Sequence, residues 1–271
     1  MRRTRILAVV VVVVPAWLIM PLENRIRSEN VRLRYGAAAP LVTRELRDRI
    51  PQGMAIALLA GFRGVVADFL WIESHGYWEK KEWLRQYADM EVVSMLQPLS
   101  TLFWETGAWH MAWNIGYGVS VDPANRTQAE GIKREHEWWD KARDFLERGL
   151  KNVPNQPDLY FSMGWLYQEK YKDPCKAQEF FHRAVNVGGE MTSIAIRMDA
   201  VERLEARAME KCGDVMGAYQ YWKRLWFLDH SKTFQPWSVV EREIKRMENV
   251  LNIPDKQRVF PKEQSKPAST P

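Results

Sequence analysis

Two pairs of aromatic residues set four positions apart, Trp109 with Trp113 and Phe161 with Trp165, are the side chains of this sequence best suited to hold something, together with a basic pair at the same interval, Arg203 with Arg207. Aromatic rings supply apolar contact area with little entropy lost. Two guanidinium groups one helical turn apart can hold a carboxylate through charge-assisted hydrogen bonds. The chemistry these residues favour is binding. Patterns that would favour bond-making are sparse. The five His are scattered and none belongs to a His-Glu-x-x-His pattern, while Glu135-His136-Glu137 reads as a solvated helix face. The sequence contains no phosphate-cradling Gly loop, no Gly-x-Ser-x-Gly elbow and no Cys-x-x-Cys. No catalytic, metal-ligating or cofactor-binding residue is assigned, and the chain is read as a binding protein with no enzymatic activity.

The pairs belong to a repeated pattern. Trp109-His110-Met111-Ala112-Trp113 and Phe161-Ser162-Met163-Gly164-Trp165 are two copies of aromatic-x-Met-small-aromatic, and Trp71-Ile72-Glu73-Ser74-His75 and Arg203-Leu204-Glu205-Ala206-Arg207 align with them less closely. The fourth residue is always small. Downstream of each copy a small residue is followed four positions later by a large apolar one: Ala88 with Val92, Ala142 with Leu146, Ala177 with Phe181 and Ala218 with Trp222. Each small residue is expected where two helices nearly touch. Apolar residues recur at helical intervals and no segment alternates strictly, so the expected class is all-α without strands. Self-similarity of this kind marks stacked copies of one supersecondary unit.

The segment Tyr160-x2-Met163-Gly164-x2-Tyr167, followed by Ala177-x3-Phe181 and Ala184, resembles the tetratricopeptide repeat. The resemblance implies an α-solenoid of antiparallel helix pairs, A and B, with about four repeats inside residues 53–231. The B-helix alanines are spaced 54, 35 and 41 residues apart, and the long interval is accommodated by an insertion at Gly118 to Glu135. In that family A helices line the concave wall, which here implies a partner groove of Trp71, His75, Trp109, Trp113, Phe161, Trp165, Arg203 and Arg207. The ligand such a wall fits is an apolar or aromatic peptide segment with an acidic residue or free C-terminus at one end. The alternative is that the rings face the next helix and the arginines face water. Cys175 and Cys212, the only two cysteines, fall on neighbouring turns of the implied stack and are read either as a disulfide or as two free thiols. Gly61 to Ile72 is similar to segments that open bacterial membrane-anchored proteins of this repeat family.

The chain ends bear on location. Residues 1–22 combine the basic tail Met1-Arg-Arg-Thr-Arg5 with an uncharged run from Ile6, about 17 residues to Leu22 and at the lower limit for spanning a bilayer. They are read as an uncleaved transmembrane anchor, with the N-terminus cytoplasmic and the body extracytoplasmic, periplasmic in a bacterial envelope. Residues 23–52 form a basic juxtamembrane segment. Residues 1 to 50 hold ten Arg, no Lys and four acidic residues, whereas the remainder carries 29 basic against 30 acidic. The excess charge therefore suits anionic lipid headgroups, and no nucleic-acid partner is expected. Met54 to Ile72 contains Arg63 and Asp68 and is rejected as a second span. Residues 232–253 are expected to cap the last repeat and 254–271 to be disordered. The reading is a membrane-tethered scaffold that binds a protein or peptide partner at the cell envelope, an assembly or secretion accessory factor. Its rivals are an envelope enzyme and a self-associating structural protein; no small-molecule substrate is evident.

Overall fold

The structure is a computed structural model that describes residues 62–188, 190–191, 197–228 and 235–261. The expected anchor at 6–22 and the juxtamembrane segment 23–52 lie outside the described residues. Every regular element among the described residues is helical, an all-α architecture. The chain divides into two compact units, one ending at Ser162 and the other beginning at Met163. No helix among the described residues is long and apolar enough to cross a membrane.

In the first unit α1 (Arg63–Glu79) and α2 (Trp83–Leu96) form a hairpin. α3 (Thr101–Trp109) runs through a π-helical turn (His110–Ile115) into α4 (Gly116–Ser120) and packs on α5 (Gln128–Asn152). The sequence places Val66, Ala67 and Leu70 on one face of α1. They meet Val92, Val93 and Leu96 of α2, with Phe103 of α3 closing the core. Burial of such side chains contributes roughly 1.5–3 kcal/mol each. Arg148 of α5 donates two hydrogen bonds, at 2.6 and 2.7 Å, to the almost fully buried carboxylate of Glu91 on α2, fixing α5 against the hairpin.

The insertion expected between Gly118 and Glu135 is largely helix. α5 starts at Gln128 because Thr127 Oγ1 accepts from Glu130 N at 3.1 Å while Glu130 Oε2 accepts from Arg126 N at 2.9 Å, a reciprocal cap. Turn-forming residues are thus confined to a short loop before it.

The second unit contains a π-helical turn (Tyr167–Tyr171) following α6 (Pro157–Leu166), then α7 (Pro174–Asn186), α8 (Met198–Lys211), α9 (Val215–Trp226) and α10 (Trp237–Val250). The boundary between the units falls within α6. From α7 onward, each helix packs on the next. Val240, Ile244 and Met247 of α10 cover Ala218, Tyr219, Trp222 and Leu225 of α9, so α10 seals the last helix pair of its unit. The residues after α10 depart from the disordered tail expected from 254 onward. Phe260 packs on Trp226 with ring centroids 5.0 Å apart, Val259 N donates to Glu248 Oε1, and Arg258 bonds Asn249 Oδ1, which holds 255–260 against α9 and α10. Cys175 in the first turn of α7 and Cys212 at the end of α8 are joined as a disulfide, with Cα atoms 4.8 Å apart.

Small residues occupy close approaches, as the pattern requires. Ser74, Ala112, Gly164 and Ala206, the fourth residues of the four aligned segments, are all buried, as are Ala142, Ala177 and Ala218. Ala88 departs from the pattern and is exposed, because α2 turns Gln86, Met90 and Val93 inward instead.

A further repeat emerges only in three dimensions. Lys81, Lys172 and Gly213 each have positive φ, of 58°, 56° and 103°, and each precedes an acidic N-cap, Glu82, Asp173 and Asp214. The Asp173 and Asp214 side chains accept from Lys176 N and Gly217 N. A left-handed residue thus reverses the chain before α2, α7 and α9, at a cost of about 1 kcal/mol for any residue but Gly. Lys172→Gly should therefore raise unfolding free energy by about 1 kcal/mol and Gly213→Ala lower it by about the same, read by urea denaturation. Effects of the opposite sign would contradict the equivalence of these turns.

Candidate functional site

α1 carries Trp71, His75 and Trp78 at intervals of four and three, which places them on one stripe of the helix. α3 and its π turn carry Phe103 and His110, two turns apart on the face that meets this stripe. Trp71 packs on Phe103 with centroids 5.1 Å apart and on His75 at 5.3 Å. His110 is the hub of the cluster. Its ring meets His75 at 6.0 Å, Trp78 at 5.9 Å and Trp109 at 5.1 Å, all edge to face. His110 is 5% exposed, whereas Trp78 is 38% and Trp109 47% exposed, so a buried imidazole lies beneath an open aromatic rim. The π turn beginning at His110 accommodates one more residue than an α turn, an irregularity frequent at functional sites.

Each imidazole has a hydrogen-bond partner at Nδ1. His75 Nδ1 lies 3.0 Å from the Trp71 carbonyl, which can only accept. The Asn114 side-chain amide lies 2.8 Å from His110 Nδ1. Burial first, and the neighbouring His75 second, push the His110 imidazolium down to about 4, so the ring is neutral near neutral pH.

The structure thus brings Trp71, His75 and Trp109 together and adds Trp78 and His110. Trp113 lies half-buried on the π turn, and Phe161 and Trp165 lie half-buried one turn apart on α6. Arg203 and Arg207 are committed within the second unit. Arg203 Nη1 donates to Gln235 Oε1 at 2.6 Å and to the Asp199 carbonyl at 2.8 Å, and Gln235 Nε2 donates to Glu202 at 2.9 Å. Arg207 approaches Glu243 at 3.6 Å and lies over the Trp222 ring. The basic end expected for the groove is therefore a bracing network: these guanidinium groups meet carboxylates and carbonyls of their own unit. Between them, Glu205 is 1% exposed and accepts from both His182 Nδ1 and Tyr221 OH at 2.7 Å, pinning α8 to α7 and α9. Burial and this bond to Glu205 raise the Tyr221 hydroxyl above its ordinary range.

Among the described residues no three His, Cys, Asp or Glu side chains are grouped to hold a metal ion. No protein-family model matches the chain, and no curated protein sequence matches it.

The first unit also buries half of Asp89, on α2. Desolvation, then the Glu73 carboxylate, push its carboxyl up to about 7. The two shifted groups have opposite linkage. His110 binds its proton more weakly folded than unfolded, so its contribution is complete above about pH 6.5 and is lost as pH falls toward 4. Asp89 binds its proton more tightly folded, so its contribution is complete below about pH 4 and is lost as pH rises through 7. Asp89→Asn should therefore gain about 1 kcal/mol over the wild type at pH 8 and nothing at pH 4, the gain being reduced by solvent screening of a half-buried group. Thermal melts across this range check it; an equal gain at both pH values would contradict the assignment.

Proposed function

We propose that the chain is a membrane-tethered helical scaffold, a TPR-like α-solenoid, that binds a protein or peptide partner at the cell envelope as an assembly or secretion accessory factor. The observation that carries this reading is the exposed rim of Trp78 and Trp109 over the buried His110. Large aromatic side chains partly exposed on a well-packed base are the anchors that protein interfaces favour. The Trp71 and His75 positions implied by the repeat resemblance fall in this same cluster. The equivalent left-handed turns and the close-packed small residues support a repeat architecture.

The extracytoplasmic location proposed from the anchor read at residues 6–22 is supported by the Cys175–Cys212 disulfide, a bond that persists in oxidising compartments outside the cytoplasm. The ligand is an apolar or aromatic segment. Arg203 and Arg207 are engaged inside the second unit, so the aromatic rim alone is proposed to hold this segment.

A photo-reactive benzoylphenylalanine placed at Trp109 in the native membrane should give a discrete adduct with one partner. The same residue at Ile132, exposed on α5, should not. A reporter active only outside the cytoplasm, fused after Pro271, should be active in that strain. No adduct from position 109, or an identical one from 132, contradicts the binding reading, and an inactive reporter contradicts the location.

A further inference from the structure

We infer that His75 and His110 together form a main-chain clamp, one ring accepting from and the other donating to the N–H and C=O of a single residue in an extended peptide. The inference rests on the binding function proposed above and specifies how that site recognises its ligand.

Hydrogen-bond direction sets the role of each ring. A neutral imidazole has one donor and one acceptor nitrogen. His75 Nδ1 must donate, since its partner is the Trp71 carbonyl oxygen at 3.0 Å, and this leaves a lone pair on His75 Nε2. His110 Nδ1 accepts from the Asn114 amide N–H at 2.8 Å, which places the ring proton on His110 Nε2. The two adjacent rings, with centroids 6.0 Å apart, therefore offer opposite roles: an acceptor on the exposed His75 and a donor on the buried His110.

A single residue of an extended chain presents the matching pair. Its N–H and C=O point to the same side of the strand, and this is how directly opposed residues of antiparallel strands exchange both bonds. Peptides that add along a protein edge gain affinity from such main-chain bonds and specificity from pockets for alternate side chains. Here Trp78 and Trp109 flank the clamp and would receive apolar side chains of the bound segment. Because the bonds are to backbone, the site tolerates many sequences. It requires an unmodified N–H at one residue of the ligand.

The test is affinity selection of a random library of capped octapeptides by the full-length protein in detergent, followed by single N-methylation of each backbone amide of an enriched peptide. One N-methyl position should cost about tenfold in affinity, in line with the loss of one hydrogen bond and the His75 acceptor left unmatched. His75→Phe keeps a ring on the exposed stripe but removes the acceptor, so it should bind the parent peptide about tenfold more weakly and be indifferent to that N-methyl group. Enriched peptides that tolerate N-methylation everywhere, or whose sensitivity persists in His75→Phe, overturn the clamp while leaving binding intact. A library that yields no enrichment, or the same enrichment with a Trp78→Ala, Trp109→Ala double variant, overturns the binding function and the clamp with it.

Discussion

The structure depends on helices approaching closely enough for a ring on one to fill the space of a missing side chain on the next. A methyl group at Gly107 would sit 2.8 Å from the Phe145 ring, and one at Gly149 would sit 2.9 Å from Trp104. The two contacts are reciprocal, α3 and α5 each supplying one glycine and one ring, and the rings themselves pack with centroids 4.7 Å apart. In the second unit Gly164 meets Phe181 in the same way, at 2.6 Å. Contacts of this kind leave no room for an added methylene, since overpacking a filled core costs typically 1–3 kcal/mol. They set how far each helix stands from its neighbour, and so where the side chains on the outer stripes of α1 and α3 can meet.

Polar burial follows from the same geometry. Helices held this close take charged side chains out of water, and the chain compensates with short, paired contacts. Glu91 is matched by both Nη atoms of Arg148. Glu205 has a partner for each of its oxygens. His110 is treated differently, being kept neutral rather than paired with a charge. A neutral ring can donate and accept, whereas an imidazolium can only donate. Burial therefore preserves at this position both a donor and an acceptor nitrogen.

Much of this was legible in the sequence where the signal is local. Helical periodicity gave the all-α class, and the small residue in each aligned segment marked a buried approach in all four cases. The amphipathic pattern of Trp237 to Leu251 marked the helix that covers α9. Long-range pairing was not legible. Gln235 and Glu243, which Arg203 and Arg207 meet, lie on later segments, and nothing near either arginine announces them. His110 sits inside a recognised echo, yet its importance comes from His75 and Trp78 on another helix. The left-handed turns at Lys81 and Lys172 are silent in the sequence because positive φ is signalled by Gly, as at Gly213, and Lys carries no such mark. Two local signals were present and would have served: the Thr127-x-x-Glu130 cap that starts α5, and the acidic residue after each left-handed turn.

The proposed function requires that the aromatic rim over His110 be covered by a partner in the native membrane. Oxidative footprinting with hydroxyl radicals measures this directly, comparing native membranes with the detergent-purified protein. The account predicts that Trp78 and Trp109 are oxidised several-fold less in native membranes, while Phe227, which is 71% exposed in the second unit, reacts equally in both. Equal oxidation of Trp78 and Trp109 in the two preparations would contradict it.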